Sequence, residues 1–236
     1  MEIRRFFVSQ ADISGDTVTV SGDEFLHMTK VLRYKVGYKA IVCANDGKEY
    51  TCTIKRSSND FAELSIDECN VVDRKNISLT LFAGLLKNNK LDFAIQKSVE
   101  LGVDKIIPFT SANCAETKFS AERANKIALE AAKQCGSAYL SEVGELTDLD
   151  GVIDSFKHFD DVLLAYEDEN NTRLTDNIPS GKRIALIVGP EGGFKPEEVT
   201  RMREAGAKVV TLGRRILRAE TASIVGSALI LSTLDF

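Results

Sequence analysis

The chain has 236 residues, enough for one or two domains at roughly 150 residues each. Hydrophobic residues make up 44% and charged residues 28%, which excludes long disordered, collagen-like and fibrous classes. Thirty Lys and Arg against thirty-five Asp and Glu give a formal net charge of −5, so any nucleic-acid contact must be a local patch and not a coat of bulk positive charge.

From Met1 to about Val72 the pattern predicts short strands at Thr17–Val20, Ala40–Cys43, Glu49–Lys55 and Phe61–Ile66. They are punctuated by Asn45-Asp46-Gly47 and by Ser57-Ser58-Asn59-Asp60. One helix interrupts them: Ser21-x-x-Glu24 reads as a capping box, and Phe25, Met28 and Leu32 recur at helical spacing. A small β-barrel carrying one helix is expected.

Beyond the polar hinge Asp73–Asn76, apolar strands alternate with amphipathic helices. Strands are expected at Ser78–Ala83, Lys105–Phe109, Val162–Ala165, Arg183–Val188 and Lys208–Leu212. Helices are expected at Lys90–Leu101, Ala121–Cys135, Leu149–Phe156, Pro196–Ala205 and Thr221–Thr233, with Gly102, Gly136 and Gly206 just past helix ends. This α/β rhythm implies a mainly parallel sheet covered on both faces. The segment Glu167–Lys182 reads as a polar, partly mobile connection.

Five scattered cysteines with no C-x-x-C pair indicate neither a disulfide framework nor a zinc site, and a reduced cytoplasmic compartment is expected. The N-terminus lacks the apolar stretch of a signal peptide, and the apolar run Ala222–Leu231 is shorter than the roughly 20 residues that span a bilayer, so no membrane association is expected. No metal is expected either.

In a parallel sheet the carboxyl ends of strands form the ligand crevice. Two loops there stand out. Gly189-Pro190-Glu191-Gly192-Gly193-Phe194 follows the apolar strand Ile184–Val188, and its glycines let backbone lie directly against a flat ligand. Gly213-Arg214-Arg215-Ile216-Leu217-Arg218-Ala219-Glu220-Thr221 puts three arginines and a carboxylate beside the last helix. Taken singly, the first is a plain connection or a ligand loop, and the second a solvated charge run or an anion site. Their occurrence in consecutive strand-to-helix loops favours a ligand site. Neither is a G-x-G-x-x-G nor a P-loop, so nucleotide-phosphate binding has no specific support.

Elsewhere, His27, Lys30 and Arg33 fall within one arc of the N-terminal helix, either an exposed polar face or a phosphate-contacting one. Arg4 and Arg5 before Phe6 and Phe7 are an RNA-contacting edge or a charged first strand. Cys135 reads as a buried thiol, without a visible activator. His158 reads as structural or exposed.

The segments Leu186-Ile-Val-Gly-Pro-Glu-Gly-Gly-Phe194 and Leu212-Gly-Arg-Arg-Ile-Leu-Arg-Ala-Glu-Thr-Ala222 together resemble the two cofactor loops of the RsmE-type 16S ribosomal RNA uridine N3-methyltransferases of the SPOUT superfamily. The resemblance extends to Phe25-Leu-His-Met-Thr-Lys-Val-Leu-Arg33 and to Lys90-Leu-Asp-Phe-Ala-Ile-Gln-Lys-Ser-Val-Glu-Leu-Gly-Val103, so it covers nearly the whole chain.

It implies a PUA-like RNA-binding β-barrel over 1–72 and a SPOUT methyltransferase domain with a trefoil knot over 77–236. It also implies a homodimer, S-adenosylmethionine as cofactor and 16S rRNA of the small ribosomal subunit as partner. It assigns cofactor binding to Val188, Gly189, Glu191, Gly193, Leu212, Gly213, Ile216 and Leu217. Catalysis falls to Arg218, Glu220 and Thr221, with Arg218 stabilising negative charge on the uracil and Glu220 either a base or an orienter of Arg218. RNA contacts fall to Arg4, Arg5, His27, Lys30, Arg33 and Arg215. One departure stands out: Lys133-Gln134-Cys135-Gly136-Ser137 lacks the arginine the family carries at the position of Ser137, and Lys133 is the candidate to compensate. Alternatives are a SPOUT enzyme modifying another RNA atom, a non-catalytic RNA-binding assembly factor, and a nucleotide-binding α/β enzyme.

Overall fold

Period-two alternation in the N-terminal third produces a mostly antiparallel sheet in the computed structural model, which describes residues 3–73, 75–87 and 89–234. Its strands are β1 (Arg5–Phe7), β2 (Ile13–Ser14), β3 (Thr17–Ser21), β4 (Lys39–Cys43), β5 (Lys48–Ser57) and β6 (Phe61–Val71), in the order β1-β4-β5-β6-β3-β2. Only β1 and β4 run parallel. Val18 and Val20, Ala40 and Val42, Cys52 and Ile54, and Ala62 and Leu64 point into one core with Phe6, Phe25 and Met28. Burial pushes the Cys43 thiol up to about 11 and the Cys52 thiol up to about 12, so both stay protonated and inert near neutral pH.

The helix of this unit departs from expectation. The Ser21 side chain makes no capping bond, and α1 (Gly22–Leu26) passes into a π-helical turn at His27–Val31, where Leu32 N–H donates to the His27 carbonyl at 3.0 Å. Glu24 is drawn away from the cap because its carboxylate accepts from Phe7 N–H at 3.2 Å and pairs with Lys133. Ala132–Leu140, which the chain order places in the second half, groups with this first unit. Tyr139 donates its hydroxyl to the Val72 carbonyl at 3.0 Å, and Leu140 N–H donates to Asn45 Oδ1 at 3.0 Å.

The second unit contains β7 (Ser78–Gly84), α2 (Lys90–Leu101), β8 (Lys105–Thr110), most of α3 (Ala121–Cys135), β9 (Glu142–Val143), β10 (Thr147–Asp148) and α4 (Leu149–Asp154). β11 (Asp161–Ala165), β12 (Arg183–Val188), α5 (Pro196–Glu204), β13 (Lys208–Val210) and α6 (Ala219–Leu234) complete it. Its sheet runs β10-β8-β7-β12-β11-β13, with β9 beside β8 and every pairing parallel.

β12 is buried from Ile184 to Val188, which explains its unbroken apolar run. Phe82, Ala185 and Ile187 pack with Val152 of α4 and with Val199 and Met202 of α5. The alternate residue Leu186 meets α6 so closely that a Cβ on Gly226 would lie 2.8 Å from it. The connection after β11 is pinned at both ends. Thr211 N–H donates to the Thr172 carbonyl at 2.8 Å, and Asp160 and Asp161 accept backbone N–H bonds from Ser180 through Arg183. Among the described residues no helix is long and apolar enough to cross a membrane.

Candidate active site

Strand order decides where the chemistry sits. β12 and β13 both flank β11, so the loops that follow them converge at one sheet edge with the end of β11 between them. Together they enclose a cavity of about 520 Å³. Val188, Gly189, Glu191 and Gly193 line it from the first loop, and Leu212, Gly213, Arg215, Ile216, Leu217 and Arg218 from the second. Every cofactor-loop residue singled out in the sequence is therefore brought to one place. Ala165, Tyr166 and Glu167 line it too, and sequence reasoning missed them by treating the segment after β11 as a bare connection. The available signal was topological, since the carboxyl end of any strand in a parallel sheet faces the crevice.

The first loop is built to stay in place. Gly193 adopts φ 64°, and its N–H closes a turn onto the Pro190 carbonyl at 2.9 Å. Asn113 donates to the Gly192 carbonyl at 3.0 Å. Phe194 is buried and stacks on Phe109 at 6.1 Å. Glu191 accepts from Lys90 Nζ at 2.9 Å and from Lys87 N–H at 3.2 Å. Partial burial pushes the Glu191 carboxyl up, but the Lys90 ammonium and the backbone N–H groups outweigh it and hold the carboxyl below its ordinary range. Glu191 thus acts within the protein as the anchor of its loop to the first turn of α2.

The second loop turns at Gly213, where Thr211 Oγ1 accepts from Gly213 N–H at 3.3 Å and donates to its carbonyl at 3.0 Å. Arg215 and Arg218 are exposed on the cavity, and Ile216 is 82% exposed at its lip. Beside them the Tyr166 hydroxyl is raised above its ordinary range by burial and by its bond to Asp168 at 3.0 Å, so it remains a neutral donor.

Two proposed catalytic residues sit beside this wall, between the cavity-lining Ala219 and Ala222. Glu220 and Thr221 are in the first turn of α6 and do not line the cavity. Thr221 is exposed, while Glu220 Oε2 is buried with no hydrogen-bond partner among the described residues. No hydrogen bond or ion pair joins Glu220 to Arg218 among the described residues.

The residues proposed to touch RNA divide similarly. Arg4, Lys30 and Arg33 are exposed and His27 half-buried, its ring 6.2 Å from Phe6. Arg33 holds φ 57°, a left-handed geometry that non-glycine residues rarely adopt. Arg5 does not join them: its side chain is 9% exposed, pairs with Glu49 at 2.7 Å and donates to Cys43 Sγ at 2.9 Å. Lys133 does not stand in for the arginine missing at Ser137, since it is 8% exposed and paired with Glu24. Cys135, expected to be buried, is exposed at the end of α3 and donates to the Ala132 carbonyl at 3.6 Å.

Comparison with known proteins agrees with this geometry. A family model described as an RNA methyltransferase domain matches residues 73–231, and one described as an RNA methyltransferase PUA domain matches residues 20–67. The chain is 31% identical to the ribosomal RNA small subunit methyltransferase E of Bacillus subtilis, over 94% of this chain and 93% of that one. The corresponding protein of Neisseria gonorrhoeae, whose crystal structure holds S-adenosyl methionine, superposes with TM-score 0.87 at 29% identity over 98% of each chain. A putative methyltransferase of Legionella pneumophila, in complex with the same cofactor, gives TM-score 0.86 at 26% identity over 99% of this chain and 98% of that one. With paired loops closing one cavity and two family models spanning most of its length, this chain belongs to the ribosomal RNA small subunit methyltransferase E family of RNA methyltransferases.

Proposed function

We propose that the protein methylates N3 of a specific uridine in 16S rRNA of the small ribosomal subunit, using S-adenosylmethionine. The observation that carries this reading is the convergence of both loops on one cavity with Arg215 and Arg218 at its wall. About 520 Å³ falls within the range of small-molecule sites. The lining suits this cofactor: cavity-lining backbone at Gly189, Gly193 and Gly213 for the edge of a planar base, apolar Ala165, Leu217 and Ala222 for its faces, and carboxylates of Glu167 and Glu191 near a cation.

When bound, S-adenosylmethionine supplies an electrophilic methyl group on a cationic sulfur. The protein then has to place the uracil in line with that group and favour loss of the N3 proton. Arg218, a permanent cation at the cavity, favours the negative charge that develops on the ring. Glu220, between the cavity-lining Ala219 and Ala222 and with a buried Oε2 that has no partner among the described residues, is the acceptor of the N3 proton or the orienter of Arg218, with Thr221 beside it. Arg4, His27, Lys30 and Arg33 of the first unit, and Arg215 of the second, take the RNA.

The same reading makes residues 1–72 a PUA-like barrel and 77–236 a knotted SPOUT domain working in the cytoplasm. Support for the knot is that α6 leaves the edge strand β13 and returns to β7 and β12, while the β11–β12 connection is bridged to Thr211. It also makes the protein a homodimer: α6 is apolar around its circumference, and Ile224, Val225 and Ala228 remain half-buried in the single chain. A sedimenting species of monomer mass would overturn that last point. The central test is transfer of tritiated methyl groups to small subunits from a strain lacking this protein, followed by mass spectrometry of the nucleosides. The expected product is 3-methyluridine; label on a different nucleoside, or none, overturns the assignment.

A further inference from the structure

The turn at Leu212 and Gly213 has a second side. Thr211, Leu212 and Gly213, which help enclose the cofactor cavity, also form a wall of another cavity of about 560 Å³. Arg173, from the β11–β12 connection, and Arg214 line this second space, with Leu174 and Leu229 as its apolar part. Both arginines are exposed, and neither guanidinium has an ion pair or hydrogen bond among the described residues. None of the lining residues is acidic, in a chain whose net charge is −5. The cofactor cavity differs, because there Glu167 and Glu191 offset Lys90, Arg215 and Arg218.

The Arg173 segment is also tied to the strand end that leads into the Arg214 loop. The Arg173 backbone bridges to Thr211, Thr211 N–H donates to the Thr172 carbonyl at 2.8 Å, and Leu174 N–H donates to the Thr211 carbonyl at 3.0 Å. Two planar guanidinium forks lining one cavity that has no acidic lining residue match the oxygens of a phosphate better than any neutral group. The shared wall of three residues spans at most about 11 Å. A strand with one base in the cofactor cavity therefore has backbone phosphate within reach of the far side.

We infer that Arg173 and Arg214 form a phosphate subsite that holds the RNA backbone beside the methylated nucleotide. This rests on the rRNA-methylating reading above, and the test separates the two. Full-length R173Q, R214Q and double variants are assayed for S-adenosylmethionine affinity by calorimetry, and for affinity to small subunits and to a 16S rRNA fragment across a salt series. The expected result is cofactor affinity within twofold of the parent, RNA affinity reduced about tenfold in the double variant, and a salt slope shallower by about 0.7 for each phosphate no longer neutralised. R214K, which keeps the charge, should retain most of the affinity. An unchanged slope and affinity in the double variant overturns the subsite.

Inhibition of the parent by inorganic phosphate at constant ionic strength, with RNA affinity untouched by the substitutions, reassigns the cavity to a free phosphate and also overturns it. Methyl transfer to an atom other than N3, with the salt slope still lowered in the variants, removes the uridine reading and leaves the subsite standing. No RNA binding by the parent refutes both.

Discussion

Arg218 is exposed at the cavity with no ion pair among the described residues, so its charge is available to a reacting uracil and not spent on the fold. Arg218→Ala should cost about 100-fold or more in kcat, the range for removing one transition-state charge stabiliser, with cofactor affinity within twofold. Full turnover in single-turnover assays would remove Arg218 from the reaction. Gly84 tests the loop from behind. A Cβ there would lie 2.3 Å from Pro190 N, a backbone atom that cannot rotate away. Gly84→Ala should therefore displace Val188–Gly193 and weaken cofactor binding by about tenfold or more, measured calorimetrically, even though residue 84 touches no ligand. Arg5 and Lys133 show why charge type alone misleads at this scale. Both look like RNA contacts in the sequence, yet Glu49 and Glu24, distant along the chain, take their charges into nearly buried pairs.

At the scale of elements, the helices Lys90–Leu101 and Ala121–Cys135 were legible to the residue, because helical period and glycine stops are local. β9 and β10 were not, since two residues carry no period and are ordered only by their neighbour β8. The π-turn at His27–Val31 was illegible for a related reason: it widens a helix whose spacing looked regular.

The β11–β12 connection depends on Asp160, whose carboxylate accepts from Lys182 and Arg183 backbone N–H groups and pairs with the Arg183 guanidinium at 2.6 Å. The Arg183 side chain, followed by its backbone N–H, holds the Asp160 carboxyl down to about 2 from an ordinary 3.8. A carboxyl lowered on folding stabilises the native state above its unfolded value and loses that contribution as pH falls through the folded one. Thermal melts should therefore show Asp160→Asn less stable than the parent at pH 5 to 7, with the gap closing between about pH 4 and pH 2. A gap that persists at pH 2 would mean that the side chain acts by shape and not by charge.

For the molecule as a whole, a net charge of −5 opposes indiscriminate RNA binding and leaves recognition to small basic clusters. Residues 1–72 alone carry nine basic and eleven acidic side chains, and the structure removes Arg5 from the available set. Such a protein should methylate assembled small subunits faster than naked 16S rRNA, because a folded particle presents phosphates in a fixed pattern that few contacts can read. Equal initial rates on the two substrates at about 0.15 M salt would count against this.

The sequence by itself determined the alternation of strand and helix, the position of both glycine-bearing loops and the kind of ligand they suit, since periodicity, backbone freedom and turn chemistry act over a few residues. Tertiary structure alone decided that the end of β11 lies between those loops and adds Tyr166 and Glu167 to the site. It likewise decided which arginines keep their charge for a ligand. Strand order and ion pairing join residues tens of positions apart, and no local pattern encodes that choice.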